Sequence, residues 1–189
     1  SDAGMPTICD PGEDLIKNAK LNGIEIICIP GPCAALTALV SSGFPSSKFI
    51  FEGFIPKSNP EREKKIIEIS QNSITTILFE SPHRLKKLLK DLKLHCGGER
   101  EIQISKELTK VHEQHIGPNL NNAIKTFEEN EIRGEFTIII KGAKKTKKER
   151  DESNLKKQLL DLINAGLSLN SASKYLAKKE NVSKREIYS

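Results

Sequence analysis

The sequence has no long hydrophobic run, no closely spaced cysteine pair and no secretory signal pattern. No apolar stretch approaches the roughly 18 residues of a membrane-spanning helix, so none is predicted. The four cysteines, Cys9, Cys28, Cys33 and Cys96, show neither C-x-x-C spacing nor the density of a disulfide-bonded secreted domain. We interpret them as small buried residues of a cytoplasmic protein without a metal site.

The composition is that of a folded chain with a modest positive charge. Of its 189 residues, 37% are hydrophobic, which is enough to bury the core of one large or two small domains. The formal net charge of +5 suits a nucleic-acid partner without requiring one.

Two loops rich in glycine and proline stand out near the start of the chain. The first, at 1–6, is followed by Asp10, which we predict to be the N-cap of a helix. The second, at 30–32, follows a β-rich run at 23–29 and precedes helix formers up to residue 42. A strand that leads through such a turn into a helix offers free N–H groups to an anionic or polar ligand, although a plain structural turn fits each loop equally well.

The middle of the chain alternates between strand and helix patterns. Strands are predicted at 48–52, 74–79, 101–105 and 135–141, and helices at 59–71, 81–94 and 120–130. This alternation predicts an α/β fold with a mixed sheet.

The C-terminal part has a different character. A basic linker is predicted at 143–153 and a small helical domain at 154–189, whose last two helices resemble a helix-turn-helix unit and whose third helix starts near 183. Its basic residues are candidates for RNA phosphate contacts: Lys174, Lys178, Lys184 and Arg185. The alternative is a solvated helical face.

Six blocks in fixed order carry a resemblance to a known family. They are S-D-A-G-M-P with D-P-G at 1–12, I-P-G-P-C-A-A at 29–35, F-E-G-F-I-P at 51–56, F-E-S-P-H-R at 79–84, K-E-L-T-K at 106–110 and G-E at 134–135. Together they make the chain similar to the bacterial 16S rRNA (cytidine-2'-O)-methyltransferases of the tetrapyrrole (corrin/porphyrin) methylase superfamily. The resemblance spans nearly the whole chain.

The resemblance implies two α/β subdomains with a cleft between them that holds S-adenosyl-L-methionine. Residues 1–47 would be the remainder of the N-terminal subdomain, and 48–142 the second. The implied cofactor-binding residues are Asp2, Ala3, Gly4, Pro30, Gly31, Cys33, Ala34, Phe79, Glu80, Gly134 and Glu135. We expect mainly backbone contacts from them.

The chain departs from the family pattern in two respects. Met5 stands where threonine is expected. The loop at 1–6 has no strand before it, so we expect the chain to lack an N-terminal segment, with a first strand and a Gly-Asn turn that help to hold the cofactor.

Methylation of a ribose hydroxyl needs that oxygen to be aligned and relieved of its proton. Candidates for this role are Lys106, Glu107 and His83, while Arg84 and Lys110 are candidates for RNA contact. Lys106 and Glu107 would equally form a structural ion pair, and Arg84 would equally pair with a carboxylate on its helix. Spacing does not decide between these roles.

The sequence therefore predicts a methyltransferase that modifies a cytidine 2'-hydroxyl in 16S rRNA of the small ribosomal subunit. We expect a cytoplasmic homodimer with no membrane association. The alternatives are a methylase of small tetrapyrroles and a non-catalytic RNA-binding module.

Overall fold

The computed structural model describes residues 4–144 and 152–179. The chain divides into two compact units, residues 1–144 and 145–189. In the first unit the elements are α1 (Glu13–Leu21), α2 (Ala34–Ser42), β1 (Phe49–Phe54), α3 (Asn59–Gln71), β2 (Thr75–Glu80), α4 (Pro82–Cys96), β3 (Ile102–Lys106), β4 (Gln114–Ile116), α5 (Leu120–Glu129) and β5 (Phe136–Ile140). The second contains α6 (Glu152–Asn164) and α7 (Leu169–Lys179).

The five strands form one mixed sheet in the order β1-β2-β5-β3-β4. Only β1 and β2 are parallel, and β5 lies antiparallel between β2 and β3. The predicted α/β class and mixed sheet are confirmed. The central strand β5 is apolar apart from Thr137 because both of its faces are covered, and all five of its residues are buried.

The two faces of the sheet pack against different helices. One face carries the main core, to which α3, α4 and α5 contribute apolar side chains such as Ile66, Leu88 and Phe127. On the other face, Ala35, Ala38 and Leu39 of α2 pack against Ile77 and Ile139. Two of these three α2 side chains are alanines, so small residues make much of the contact between α2 and the sheet.

The strand predicted at 23–29 is wrong. Residues 24–30 have no regular structure, and Ile24, Ile27 and Ile29 are exposed. A strand needs a neighbour for its N–H and C=O groups, and the five-stranded sheet of the described residues does not include this segment.

Two smaller predictions are also corrected. Helix α1 has Gly12 as its N-cap, without a side-chain cap, so Asp10 does not cap it. The cysteines are not buried: Cys9 and Cys28 are exposed, because they lie in irregular segments, and Cys33 and Cys96 are half-buried.

The second unit is described only through α6 and α7, which pack on each other. Ala172, Leu176 and Ala177 of α7 are buried, whereas Lys174 and Lys178 are exposed. The predicted start of a third helix near 183, with Lys184 and Arg185, lies outside the described residues, as does most of the predicted linker. Among the described helices, none has both the length and the apolar character needed to cross a membrane.

Candidate functional site

A cavity of about 560 Å³ opens at the ends of β1 and β2 and the start of β5. Its volume lies within the usual range for small-molecule and cofactor sites, about 300–1,000 Å³. It lies entirely within the first unit and brings together residues from most of the predicted blocks: Gly4, Cys33, Ala34, Phe79, Glu80, Lys110, Gly134 and Glu135.

One wall is formed by the first loop where it meets the turn before α2. The Met5 N–H donates to the Pro32 carbonyl at 2.9 Å. Gly4 has a φ of 80°, and a Cβ there would lie 2.6 Å from that carbonyl oxygen. Only glycine therefore allows the two loops to approach this closely.

Helix α2 begins at this wall. Cys33 is its N-cap and makes no side-chain cap hydrogen bond. The first N–H groups of a helix have no partner within it, so the Cys33–Ala34 end offers backbone donors at the cavity. Thr37, one turn further on, also lines the cavity.

Glu80 contributes backbone, because its side chain has no exposed area. Its Oε1 accepts the Ser81 N–H at 2.9 Å and lies 3.4 Å from Arg84 Nε. The guanidinium of Arg84 also donates to the Ile55 carbonyl, so these contacts tie α4 to the end of β1. Arg84 therefore pairs with a carboxylate, but this is the buried Glu80 of β2 and not one on the surface of its own helix.

A charged clasp closes one side of the cavity. Glu107 Oε1 accepts the Glu135 N–H at 2.9 Å and Lys110 Nζ at 3.1 Å, and Lys110 also contacts Glu135 Oε2 at 3.1 Å. The Glu135 N–H and then the Lys110 ammonium lower the pKa of Glu107. The Glu135 and Glu107 carboxylates raise the pKa of Lys110.

The clasp depends on backbone shape. Glu107 is in the left-handed region at φ 53°, and Gly134 faces it closely enough that a Cβ on Gly134 would lie 2.6 Å from Glu107 Oε1. The K-E-L-T-K and G-E blocks therefore meet through Glu107 and Gly134. Lys106 and Glu107, both within the described residues, form no ion pair with each other.

The other predicted site residues do not line this cavity or lie outside the described part of the chain. Pro30, Gly31, Lys106, Glu107, His83 and Arg84 are not among the residues that line it, and Lys174 and Lys178 belong to the second unit. Asp2, Ala3, Lys184 and Arg185 are outside the described residues.

Sequence reasoning missed several cavity residues, of which Asp10 bears most on chemistry. It lines the cavity, and within the described part of the chain its carboxylate has no hydrogen-bond or ion-pair partner. Because its position before the helix predicts an N-cap role for Asp10, this residue is not among the predicted site residues. Phe54, Leu108, Thr109 and Thr137 were also missed.

A family model for tetrapyrrole (corrin/porphyrin) methylases matches residues 1–123. Along its full length the chain is 41% identical to the ribosomal RNA small subunit methyltransferase I of Synechocystis sp. and 38% identical to that of Pasteurella multocida. The chain belongs to this methyltransferase family. It spans 68% and 67% of the lengths of these two relatives.

Solved structures agree at the level of the fold. A cobalt precorrin-4 methyltransferase of cobalamin biosynthesis superposes with a TM-score of 0.57 at 17% identity, covering 73% of this chain and 61% of that one. The tetrapyrrole methylase fold is therefore present in this chain.

Among the described residues, no group of three or more His, Cys, Asp or Glu side chains could hold a metal ion.

Proposed function

We propose that this protein transfers a methyl group from S-adenosyl-L-methionine to the 2'-hydroxyl of a cytidine in 16S rRNA. The observation that carries the proposal is family membership along the entire chain. The ordered motif blocks, with F-E-S-P-H-R and K-E-L-T-K among them, support the choice of a ribose hydroxyl as acceptor.

The cavity fits this cofactor in size and chemistry. Its apolar walls include Met5, Phe54 and Leu108, which suit an adenine ring and the aliphatic carbons next to the sulfur of the cofactor. The backbone around Gly4 and the start of α2 would hold the polar groups of the cofactor. The carboxylate of Asp10, which has no partner within the described part of the chain, suits a ligand that carries positive charge.

When bound, S-adenosyl-L-methionine supplies an electrophilic methyl group on a positively charged sulfur, so the chemistry requires no metal. Two residues of the clasp, Glu107 and Lys110, are poor acceptors for the hydroxyl proton. The lowered pKa of Glu107 makes its carboxylate a weaker base, and the raised pKa of Lys110 keeps its amine protonated at neutral pH. We assign both of them to shaping the cavity.

The second unit supports the RNA part of the proposal. Lys174 and Lys178 are exposed and lie four residues apart, on one face of α7. Such a pair would contact phosphates without reading sequence. We extend the proposal to a cofactor cleft between subdomains 1–47 and 48–142, a C-terminal helical RNA-binding domain and a cytoplasmic homodimer.

Labelled methyl transfer tests the proposal. Purified protein is supplied with S-adenosyl-L-methionine labelled on its methyl group, together with small ribosomal subunits or with uroporphyrinogen. We expect label in the RNA, recovered as an alkali-resistant 2'-O-methyl dinucleotide. Label only in uroporphyrinogen would favour a small-molecule methylase, and label in neither acceptor would favour a non-catalytic RNA-binding module.

A further inference from the structure

The loop between β3 and β4 forms one wall of the cavity through Leu108, Thr109 and Lys110. Two of its non-glycine residues, Glu107 and Thr109, have φ values of 53° and 66°. Left-handed backbone costs about 1–2 kcal/mol for such residues and persists only where the surroundings enforce it. The wall therefore depends on contacts that hold it in this shape.

Glu113 supplies one of these contacts directly at the wall. Its Oε2 accepts the Thr109 N–H at 2.7 Å, and its Oε1 lies 3.0 Å from His115 Nε2. One carboxylate thus joins the strained residue of the loop to strand β4.

The chain of hydrogen bonds continues into the sheet. His115 Nδ1 lies 3.1 Å from Ser105 Oγ, and Ser105 is buried on β3. An ionised carboxylate only accepts hydrogen bonds, so we assign the proton of a neutral His115 to Nε2. Nδ1 then accepts from the Ser105 hydroxyl or from Gln103 Nε2 at 3.3 Å.

We propose that Glu113, oriented by His115, is a positioning residue that sets the affinity of the cavity for its cofactor. It acts through the backbone of Thr109 and the adjoining Leu108, which packs against the same cluster as Cys33 and Phe79. This inference rests on the proposed function. It adds a determinant outside the cavity lining that acts on cofactor binding and leaves the methyl-transfer step unchanged.

Titration calorimetry with S-adenosyl-L-methionine tests the inference in the purified protein. Glu113→Ala removes both contacts, and we expect its Kd to rise about tenfold. Glu113→Gln keeps an oxygen for Thr109, and its amide donates to His115 once the imidazole proton moves to Nδ1, so its Kd should stay within about threefold. Glu129→Ala is the matched control, since Glu129 is exposed on α5 away from the cavity.

The coupling between Glu113 and His115 is tested with the single variant His115→Ala and with the double variant that combines it with Glu113→Ala. If His115 acts through Glu113, the double variant binds no more weakly than Glu113→Ala. In methyl-transfer assays KM for the cofactor should rise while kcat at saturation stays within about twofold, a split that loss of folded protein would not produce.

The outcomes separate the two proposals. A wild-type protein that neither binds nor uses the cofactor overturns the proposed function and this inference with it. Wild-type binding with an unchanged Kd in Glu113→Ala overturns only the inference, even if the melting temperature falls. If Glu113→Ala does not fold, an unchanged Kd in His115→Ala overturns it instead.

Discussion

At the scale of single residues, the cavity depends on backbone conformations that residue type only partly reveals. Gly4 could be anticipated, because a glycine two residues before a proline in a loop is typical of a close backbone approach. Glu107 and Thr109 could not, since nothing local in K-E-L-T-K marks two left-handed residues. The side chain of Glu113 holds Thr109 through a hydrogen bond, and the turn at Gly134 faces Glu107. Neither contact can be inferred from the residue types of the block itself.

Asp10 is the residue whose charge we expect to be felt most by a cationic cofactor. Asp10→Asn keeps the shape of the side chain and removes the charge, so Kd for S-adenosyl-L-methionine should rise about fivefold, the equivalent of about 1 kcal/mol. Titration calorimetry measures the change. Asp14→Asn, on the exposed face of α1, should leave Kd unchanged, and equal effects of the two variants would contradict a local role for Asp10.

Two glycines separate backbone strain from close approach. Gly23 has a φ of 69° and no atom within 4 Å of the position that a Cβ would take, whereas at Gly4 a Cβ would strike the Pro32 carbonyl. Gly23→Ala should cost about 1–2 kcal/mol of stability from strain alone and leave cofactor affinity unchanged. Gly4→Ala should also weaken cofactor binding by at least about tenfold, as titration calorimetry would measure; similar affinities in both variants would argue against this wall as part of the site.

At the scale of elements, the sequence predicted a strand correctly where the residues of the strand are themselves buried. It failed where only pairing with a neighbouring strand determines whether a segment is a strand. The run at 74–79, rich in β-branched and aromatic residues, predicted β2 correctly, because these residue types are typical of a buried strand. The three-residue β4 was missed, since Gln114 and His115 are exposed and only pairing with β3 makes this segment a strand. The same rule explains the error at 23–29, where a strand pattern has no neighbouring strand among the described residues.

The contact between α3 and α4 contains an ion pair with one buried partner. Arg62 Nε lies 2.8 Å from Asp91 Oδ2, with 5% of the arginine side chain and 31% of the aspartate side chain exposed. Asp91→Ala would leave a buried cation unpaired, so we expect the free energy of unfolding to fall by about 2 kcal/mol, measured by urea denaturation. Arg62→Met should cost less, because it removes the charge as well; a larger loss in Arg62→Met would refute this account.

At the scale of the whole molecule, the chain joins a catalytic-type α/β unit to a small helical unit with exposed lysines. The six motif blocks identified the family because they lie at strand ends and turns, where function constrains residue type. They could not assign roles to single side chains, as Arg84 illustrates. Its guanidinium forms an ion pair with Glu80 and donates a hydrogen bond to the Ile55 carbonyl, so these contacts within the fold occupy it. Family likeness located the cavity, whereas the contacts determine what each residue does there.

RNA affinity tests the contribution of the helical unit. Replacing both Lys174 and Lys178 by Gln should weaken binding to small-subunit RNA at low salt and reduce the slope of log K against log salt by about two. Cofactor affinity should not change, since both residues lie outside the first unit. Lys93→Gln with Lys125→Gln makes the same charge change on the first unit; an equal loss of slope there would mean that only net charge matters.

The irregular segment at 24–30 has a practical consequence for colloidal stability. Ile24, Ile27 and Ile29 are 60%, 79% and 81% exposed, on backbone that no strand of the described chain pairs with. Such a segment is a template for intermolecular β pairing, and Glu25 is its one charged residue. We expect concentrated samples to turn turbid through this segment, and Ile27→Lys to raise the concentration at which light scattering begins without lowering the melting temperature. We therefore expect these three isoleucines to limit the concentration at which the protein stays in solution.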